Sequence, residues 1–269
     1  MTKYNKIFAT DMDGTFLRND HHYDEERLMK LLDKLEMKND VFAVSSGRAE
    51  IALRQLFKDV EDRIAYVGEN GALVSYENEK IFIAKFEMGQ IRQIIDAIRA
   101  LPDGTEDFLI SGHHGAYVPE TCSEDYFEKI QTYYVGIERV KHIEDVEDDL
   151  LKITTNFPDT KLAELSAVLE TQLPFVRVTT TGFTSIDIIP KGVTKATGLD
   201  RLAKHMGLEA TDVVAFGDQM NDYEMLQYAG VAVAVENAVD DIKAVADYVI
   251  GTNDDSSVLA EMERLISSE

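Results

Sequence analysis

Ile7-Phe8-Ala9-Thr10-Asp11-Met12-Asp13-Gly14-Thr15 is the stretch on which the reading of this chain turns. A short apolar run stops at two carboxylates one residue apart, and a glycine then lets the backbone turn. A run of this length suits a strand covered on both faces, as in a parallel sheet, with its polar residues gathered at its carboxyl end.

The residues around it repeat that grammar. Leu28, Leu31, Leu32 and Leu35, at spacings of three and four, predict a helix from Asp24 to about Met37. Val41–Val44 follows as a buried strand stopped by Ser45-Ser46-Gly47-Arg48, then a helix over Ala49–Leu56 and a strand over Ile64–Val67. Strand, helix, strand, helix, strand is the order of a parallel sheet with crossover helices.

After the turn signal Gly68-Glu69-Asn70-Gly71 the rhythm changes. Strands near Leu73–Tyr76 and Ile81–Lys85 suggest a hairpin. Helices are expected over Met88–Leu101 and Glu124–Tyr134, and another from Pro158, which suits a first helical turn. Strands are expected near Phe108–Ser111, Gly115–Pro119, Leu151–Asn156, Phe175–Thr180 and Phe183–Ile189. From Pro190 the first grammar returns: helices over Thr194–Met206, Asn221–Tyr228, Ala238–Ala246 and Ser256–Ile266, strands over Val213–Phe216, Val231–Val235 and Tyr248–Ile250. The expected organisation is an α/β domain, residues 1–85 and 190–269, interrupted by an α+β block, residues 86–189.

The chain of 269 residues is 45% hydrophobic and 29% charged, an ordinary globular balance. Fifty acids against 27 Lys and Arg leave a net charge of −23, which repels nucleic acid and anionic lipid. A small anionic substrate would be repelled too, so local cations must overcome the field. Cys122 is the single cysteine, the N-terminal apolar run is too short for a signal core, and no stretch approaches the length of a membrane span, so the cytoplasm is the expected compartment. No heptad or interface stripe marks an oligomer, leaving monomer and dimer open.

Ligands of open parallel sheets bind beyond the carboxyl ends of the strands. Four polar clusters are expected at such ends: Asp11–Thr15, Ser46–Arg48, Lys191–Lys195 and Asp218–Asp222. Converging, they offer carboxylates that suit Mg²⁺ and lysines and backbone N–H groups that suit phosphate. One carboxylate of the first cluster could attack phosphorus while the other handles the proton of the leaving oxygen. Two anions beside an anionic phosphate require cations, which brings Mg²⁺ and Lys195 into the scheme.

Asp11-Met12-Asp13-Gly14-Thr15, Ser46-Gly47-Arg48, Lys195 and Gly217-Asp218-Gln219-Met220-Asn221-Asp222 resemble the four motifs of haloacid dehalogenase (HAD) superfamily phosphatases. The inserted block between the second and third motifs resembles the large α/β cap of the Cof-type branch. Asp11–Leu17, Glu69–Val74 and Gly182–Gly198 are similar to bacterial sugar phosphatases of that branch. The resemblance implies a Rossmann-like parallel-sheet core and Mg²⁺-dependent hydrolysis of small phosphorylated metabolites such as hexose and pentose phosphates. It implies Asp11 as nucleophile, Asp13 as general acid/base and Lys195 as the catalytic cation. Asp11, Asp13, Asp218 and Asp222 would serve the metal, Asp13 through its carbonyl and Asp222 by orienting metal-bound water. Asp11, Met12, Ser46, Gly47, Lys195 and Asn221 would hold the phosphoryl group.

Arg48 and Lys191 add charge without an assigned role. His21 and His22 read as surface residues. His113 and His114, on an expected turn between Gly112 and Gly115, and Gly182 and Phe183, near the return to the core, are the inserted block's candidates for touching substrate. A sugar phosphomutase shares the nucleophile motif and a similar cap, and a non-catalytic phosphosugar sensor could be built on the same fold.

Overall fold

A computed structural model describes residues 3–102, 104–180 and 185–267. In chain order its strands are β1 (Ile7–Thr10), β2 (Val41–Ser45), β3 (Ala65–Gly68), β4 (Leu73–Tyr76), β5 (Glu79–Ile83), β6 (Phe108–Gly112) and β7 (Ala116–Pro119). They continue as β8 (Ile137–Val140), β9 (Leu150–Asn156), β10 (Val176–Thr180), β11 (Ser185–Pro190), β12 (Val213–Gly217), β13 (Val231–Ala234) and β14 (Tyr248–Val249). The helices are α1 (Glu25–Met37), α2 (Glu50–Leu56), α3 (Met88–Ala100), α4 (Glu124–Ile130) and α5 (Leu162–Gln172). After them come α6 (Lys195–Met206), α7 (Tyr223–Tyr228), α8 (Asp240–Val245) and α9 (Ser257–Ser267).

Two compact units emerge. One takes in the chain up to Ser46, Phe57–Phe82 and the chain from Thr194 onward; the other takes in Gly47–Leu56 and Ile83–Val193. The first unit is built on a sheet of order β14-β13-β12-β1-β2-β3-β4-β5. β1, β2, β3 and β12 are buried along their whole length, which is why their sequences are apolar runs rather than alternations. β1 pairs in parallel with β2 on one side and β12 on the other, Ile7 lying opposite both Val41 and Val213. The chain thus leaves β1 in one direction and returns beside it from the other, the arrangement that opens a crevice at the carboxyl end. β4 runs antiparallel to β3, and β5 beyond it forms that edge of the sheet.

Local chemistry fixes the flanking pieces. Asp24 caps α1 by accepting from the Arg27 N–H, and Leu28, Leu31, Leu32 and Leu35 form its buried stripe. Phe16, just past the acidic turn, packs 5.4 Å from Phe42 of β2, and Tyr23 packs 5.0 Å from Phe57, centroid to centroid. The turn that carries Asp11 and Asp13 is therefore anchored by aromatic burial on its far side.

The second unit has a sheet of order β10-β11-β9-β6-β7-β8, antiparallel except for the β7–β8 pair. Ile91, Ile94, Ile95 and Ile98 of α3 and Leu165 and Leu169 of α5 share a core with Phe108, Ile153 and Ile188 of its strands.

Four expectations change. The helix expected from Pro158 starts at Leu162, after a tight turn in which the Lys161 N–H bonds the Pro158 carbonyl. The helix expected to reach Tyr134 ends at Ile130, and β8 follows after Gly136 at a φ of 68°. β8 was not legible because it is four residues long, Ile137-Glu138-Arg139-Val140, with charged residues at its centre and none buried, so its local apolar signal is weak. The helix expected from Asn221 begins as a tight turn, Met220–Asp222, because the Asp222 carboxylate folds back onto the Asp218 and Gln219 N–H groups.

Gly71 sits at a φ of 97°, and a Cβ there would lie 2.1 Å from the Thr194 carbonyl oxygen. Gly71→Ala should therefore lose more than about 3 kcal/mol in urea unfolding, through strain and backbone collision. Gly89→Ala, in α3 with nothing within 4 Å of its added methyl, should gain about 0.5 kcal/mol. Equal effects at the two positions would refute this account.

Candidate active site

The site grows from the ends of adjacent strands. β1 runs directly into Asp11, β12 into Asp218, and β2 into Ser46. The Asp11 N–H bonds the Phe216 carbonyl of β12, so the residue leaves the interior of the sheet at the carboxyl end of its strands. Lys195 arrives differently. β11, which precedes it, belongs to the other sheet, so Lys195 enters as the first residue of α6 and not from a strand end of the core. Thr194 caps that helix by accepting from the Thr197 N–H.

Lys195 is 1% exposed, far from the solvated state usual for a lysine in a first helical turn. Its Nζ donates to Asp11 Oδ1 at 2.5 Å and to Asp222 Oδ1 at 2.6 Å. Asp11, Asp218 and Asp222 are all buried, with one carboxylate oxygen from each within 4.8 Å of the others. The Thr15 hydroxyl donates to Asp218 Oδ1 at 2.7 Å, and Asn237 Nδ2 donates to the Gly14 carbonyl at 2.7 Å. A Cβ on Gly14, whose φ is 83°, would lie 2.5 Å from Asp218 Oδ2, so only glycine lets this turn approach Asp218.

Burial pushes the Asp11 carboxyl well above the ordinary aspartate range; Lys195 pulls it down, while Asp222 and Asp218 push it further up. Asp218 is raised to about 6, first by burial and then by Asp222, with the Thr15 hydroxyl easing the shift. For Lys195, burial works against the charge, but the attraction of Asp11 and Asp222 outweighs it and holds the ammonium charged. One ammonium against three carboxylates leaves +1 − 3 = −2 if all are ionised. Hard oxygen donors, close together and short of positive charge, fit a divalent cation. Asp222 differs within this group: its Oδ1 accepts from Lys195, and its Oδ2 accepts from two N–H groups.

The remaining sequence candidates fall in several places. Asp13 is outside the acidic group, its side chain half-exposed and 3.9 Å from His21 Nδ1. Met12 is fully buried, its carbonyl accepting from the Thr15, Phe16 and Leu17 N–H groups. Ser46 is buried, and its carbonyl accepts from the Asn70 N–H. Asn221 donates to Asn70 Oδ1 at 3.4 Å. Gly47, Arg48, Lys191, His113 and His114 belong to the second unit. There the Gly47 carbonyl accepts from Lys152 Nζ at 2.6 Å, and the two histidine rings lie 4.2 Å apart, centroid to centroid. Gly182 and Phe183 lie outside the described residues. Thr15, Asn237 and Asn70 were given no role from sequence; Thr15 carried a signal as part of the Asp11–Thr15 motif and Asn70 as part of a turn motif, whereas Asn237 carried none.

The sequence profile of the haloacid dehalogenase-like hydrolases matches residues 8–262. The chain is 31% identical to the 5-amino-6-(5-phospho-D-ribitylamino)uracil phosphatase YbjI of Escherichia coli, over 98% of this chain and 97% of that one. It is 26% identical to a Bacillus subtilis phosphatase of the same description, YcsE, over 94% and 92%. Among solved structures, SMU.1108c of Streptococcus mutans superposes with a TM-score of 0.90 at 30% identity, covering 97% of this chain and 99% of that one. No helix among the described residues is long and apolar enough to cross a membrane.

Carboxyls raised in the folded state bind protons more tightly there than in the unfolded chain. Without a cation, the stability that Asp11 and Asp218 contribute is present at low pH and is lost as pH rises through their folded values, about 6 for Asp218. A divalent cation must displace the same protons. Adding a hard divalent cation should therefore raise Tm more at about pH 7.5 than at about pH 5. An increment that is equal, or larger at the lower pH, would count against the acidic group as its site.

Proposed function

This chain belongs to the haloacid dehalogenase-like hydrolase family and is a phosphoric monoester hydrolase, and from that premise we propose a Mg²⁺-dependent phosphatase of sugar phosphates working through an aspartyl-phosphate on Asp11. The observation that carries the reading is the buried group of Asp11, Asp218 and Asp222 beyond the ends of β1 and β12, with Lys195 bridging Asp11 and Asp222.

On this reading the Asp11 carboxylate attacks phosphorus, forming an acyl-phosphate bond as the ester P–O bond breaks. Asp13 gives a proton to the departing alcohol oxygen. It then takes one from the water that attacks the acyl-phosphate, releasing inorganic phosphate and restoring Asp11. Lys195 offsets part of the cost of an ionised, buried Asp11 and, with Met12, Ser46 and Asn221, holds the phosphoryl oxygens. Asp11, Asp218 and the Asp13 carbonyl would hold Mg²⁺. When bound, the ion supplies the positive charge that lets a carboxylate meet a phosphate dianion. Asp222, with both oxygens already engaged, suits the role of orienting the ion's water and Lys195.

The relatives support this substrate class: YbjI and YcsE are both described as phosphatases of a phosphorylated ribitylamino compound. A phosphate ester at the end of a chain of hydroxyls is the common chemistry of that compound and of pentose and hexose phosphates. The single cysteine, buried Cys122, fits a cytoplasmic enzyme.

A malachite-green screen of phosphorylated sugars and polyols should find phosphate release that requires Mg²⁺ and stops on chelation. Asp11→Asn should lower kcat by more than about 1,000-fold, since an amide cannot form the acyl-phosphate. Full activity in that variant would remove Asp11 as nucleophile. Isomerised sugar phosphate without net phosphate release would replace hydrolysis with a mutase reaction.

A further inference from the structure

The turn between β3 and β4 holds three consecutive residues at left-handed φ: Glu69 at 51°, Asn70 at 55° and Gly71 at 97°. Glycine adopts that region freely, asparagine tolerates it, and glutamate is seldom found there. Glu69 and Asn70 are also buried, at 1% and 2% exposure. A strained, buried polar turn persists only where its surroundings over-determine it.

Those surroundings are the phosphoryl-binding segments. The Asn70 N–H donates to the Ser46 carbonyl at 2.9 Å. Asn70 Oδ1 accepts from Asn221 Nδ2 at 3.4 Å. Gly71 lies against the Thr194 carbonyl so closely that no side chain fits, and Thr194 caps the helix opened by Lys195. Three segments distant in sequence, carrying Ser46, Lys195 and Asn221, thus meet one turn. Holding the Ser46 carbonyl fixes the plane of the peptide that follows, because that unit is rigid. Accepting from the Asn221 amide restricts its rotamer. Asparagine answers both demands: it tolerates left-handed φ, and it carries a side-chain acceptor.

We propose that Asn70 is a positioning residue for phosphoryl binding, setting the Ser46 loop through its backbone N–H and aiming Asn221 through its side chain. The inference rests on the phosphatase reading above. Asn70 acts through its neighbours and not on the reacting atoms.

Asn70→Gly separates the two contributions, because glycine keeps both the left-handed backbone and the N–H while removing the amide. With the sugar phosphate found by the screen, Asn70→Gly should raise KM about fivefold and change kcat less. In an Asn221→Ala background the same substitution should change KM by less than about 1.5-fold, since the group it positions is gone. A purely structural turn residue would show the same factor in both backgrounds. Unchanged KM in Asn70→Gly, or factors that simply multiply, would overturn the proposal. If Asn70→Gly is too unstable to assay, Asn70→Ser enters the same cycle, keeping the backbone N–H while its shorter side chain withdraws the amide acceptor from Asn221.

Calorimetric binding of inorganic phosphate in Mg²⁺ runs the cycle without turnover. Coupled phosphate binding with no ester hydrolysis sinks the phosphatase reading alone. Hydrolysis with uncoupled factors sinks the positioning role alone, and absence of both sinks both.

Discussion

The Lys195 ammonium, in contact with both Asp11 and Asp222, is the constraint around which this site is arranged. A buried ion pair is a poor way to gain stability, because the cost of taking its charges out of water rivals their attraction. Here the balance is worse, with three buried carboxylates to one ammonium in a chain already at −23. Such an arrangement is intelligible as a place prepared for positive charge. A dication matches the residual −2 of the ionised group, and a phosphoryl group brought in with it would meet positive charge on two sides.

Keeping those charges in place falls to residues that do no chemistry. Thr15 and Asn237 tie the turn after β1 to segments more than 200 residues away, one through Asp218 and the other through the Gly14 carbonyl. Asp222 spends one oxygen on Lys195 and the other on closing its own turn. The site is thereby built on strand ends and short, closed turns, which hold geometry better than long loops do. Aromatic packing of Phe16 against Phe42 supports the same turn from beneath.

Much of this was legible in the sequence, for a physical reason. Strands buried on both faces must be apolar, so carboxylates at their ends stand out: Asp11 after β1, Asp218 after β12. The burial of Lys195 was not legible, because a lysine in a first helical turn is ordinarily solvated, and only packing reveals otherwise. Nor was Asn70, which reads locally as part of an Asn-Gly turn while its side-chain partner lies 151 residues away. β8 and the start of α5 were misjudged where local pattern was weak and tertiary pairing decided. The helix α2 lies early in the chain yet packs with the second unit, a grouping that no local pattern encodes.

Asp11 and Asp13 show how two identical side chains one residue apart come to differ. Asp11 is buried beside Lys195, so a fixed ammonium rather than water offsets part of the cost of its negative charge. The Asp13 side chain is half-exposed, in a position to exchange protons with solvent. A nucleophile must stay ionised in a water-poor site, whereas an acid/base must gain and lose a proton in each turnover. On the proposed mechanism the turn that follows β1 accomplishes that division. One carboxylate turns inward to the ammonium and the other outward, although residues two apart on a pleated strand would face the same side, so the two roles follow from the break in the pleat after Thr10 and the turn at Gly14.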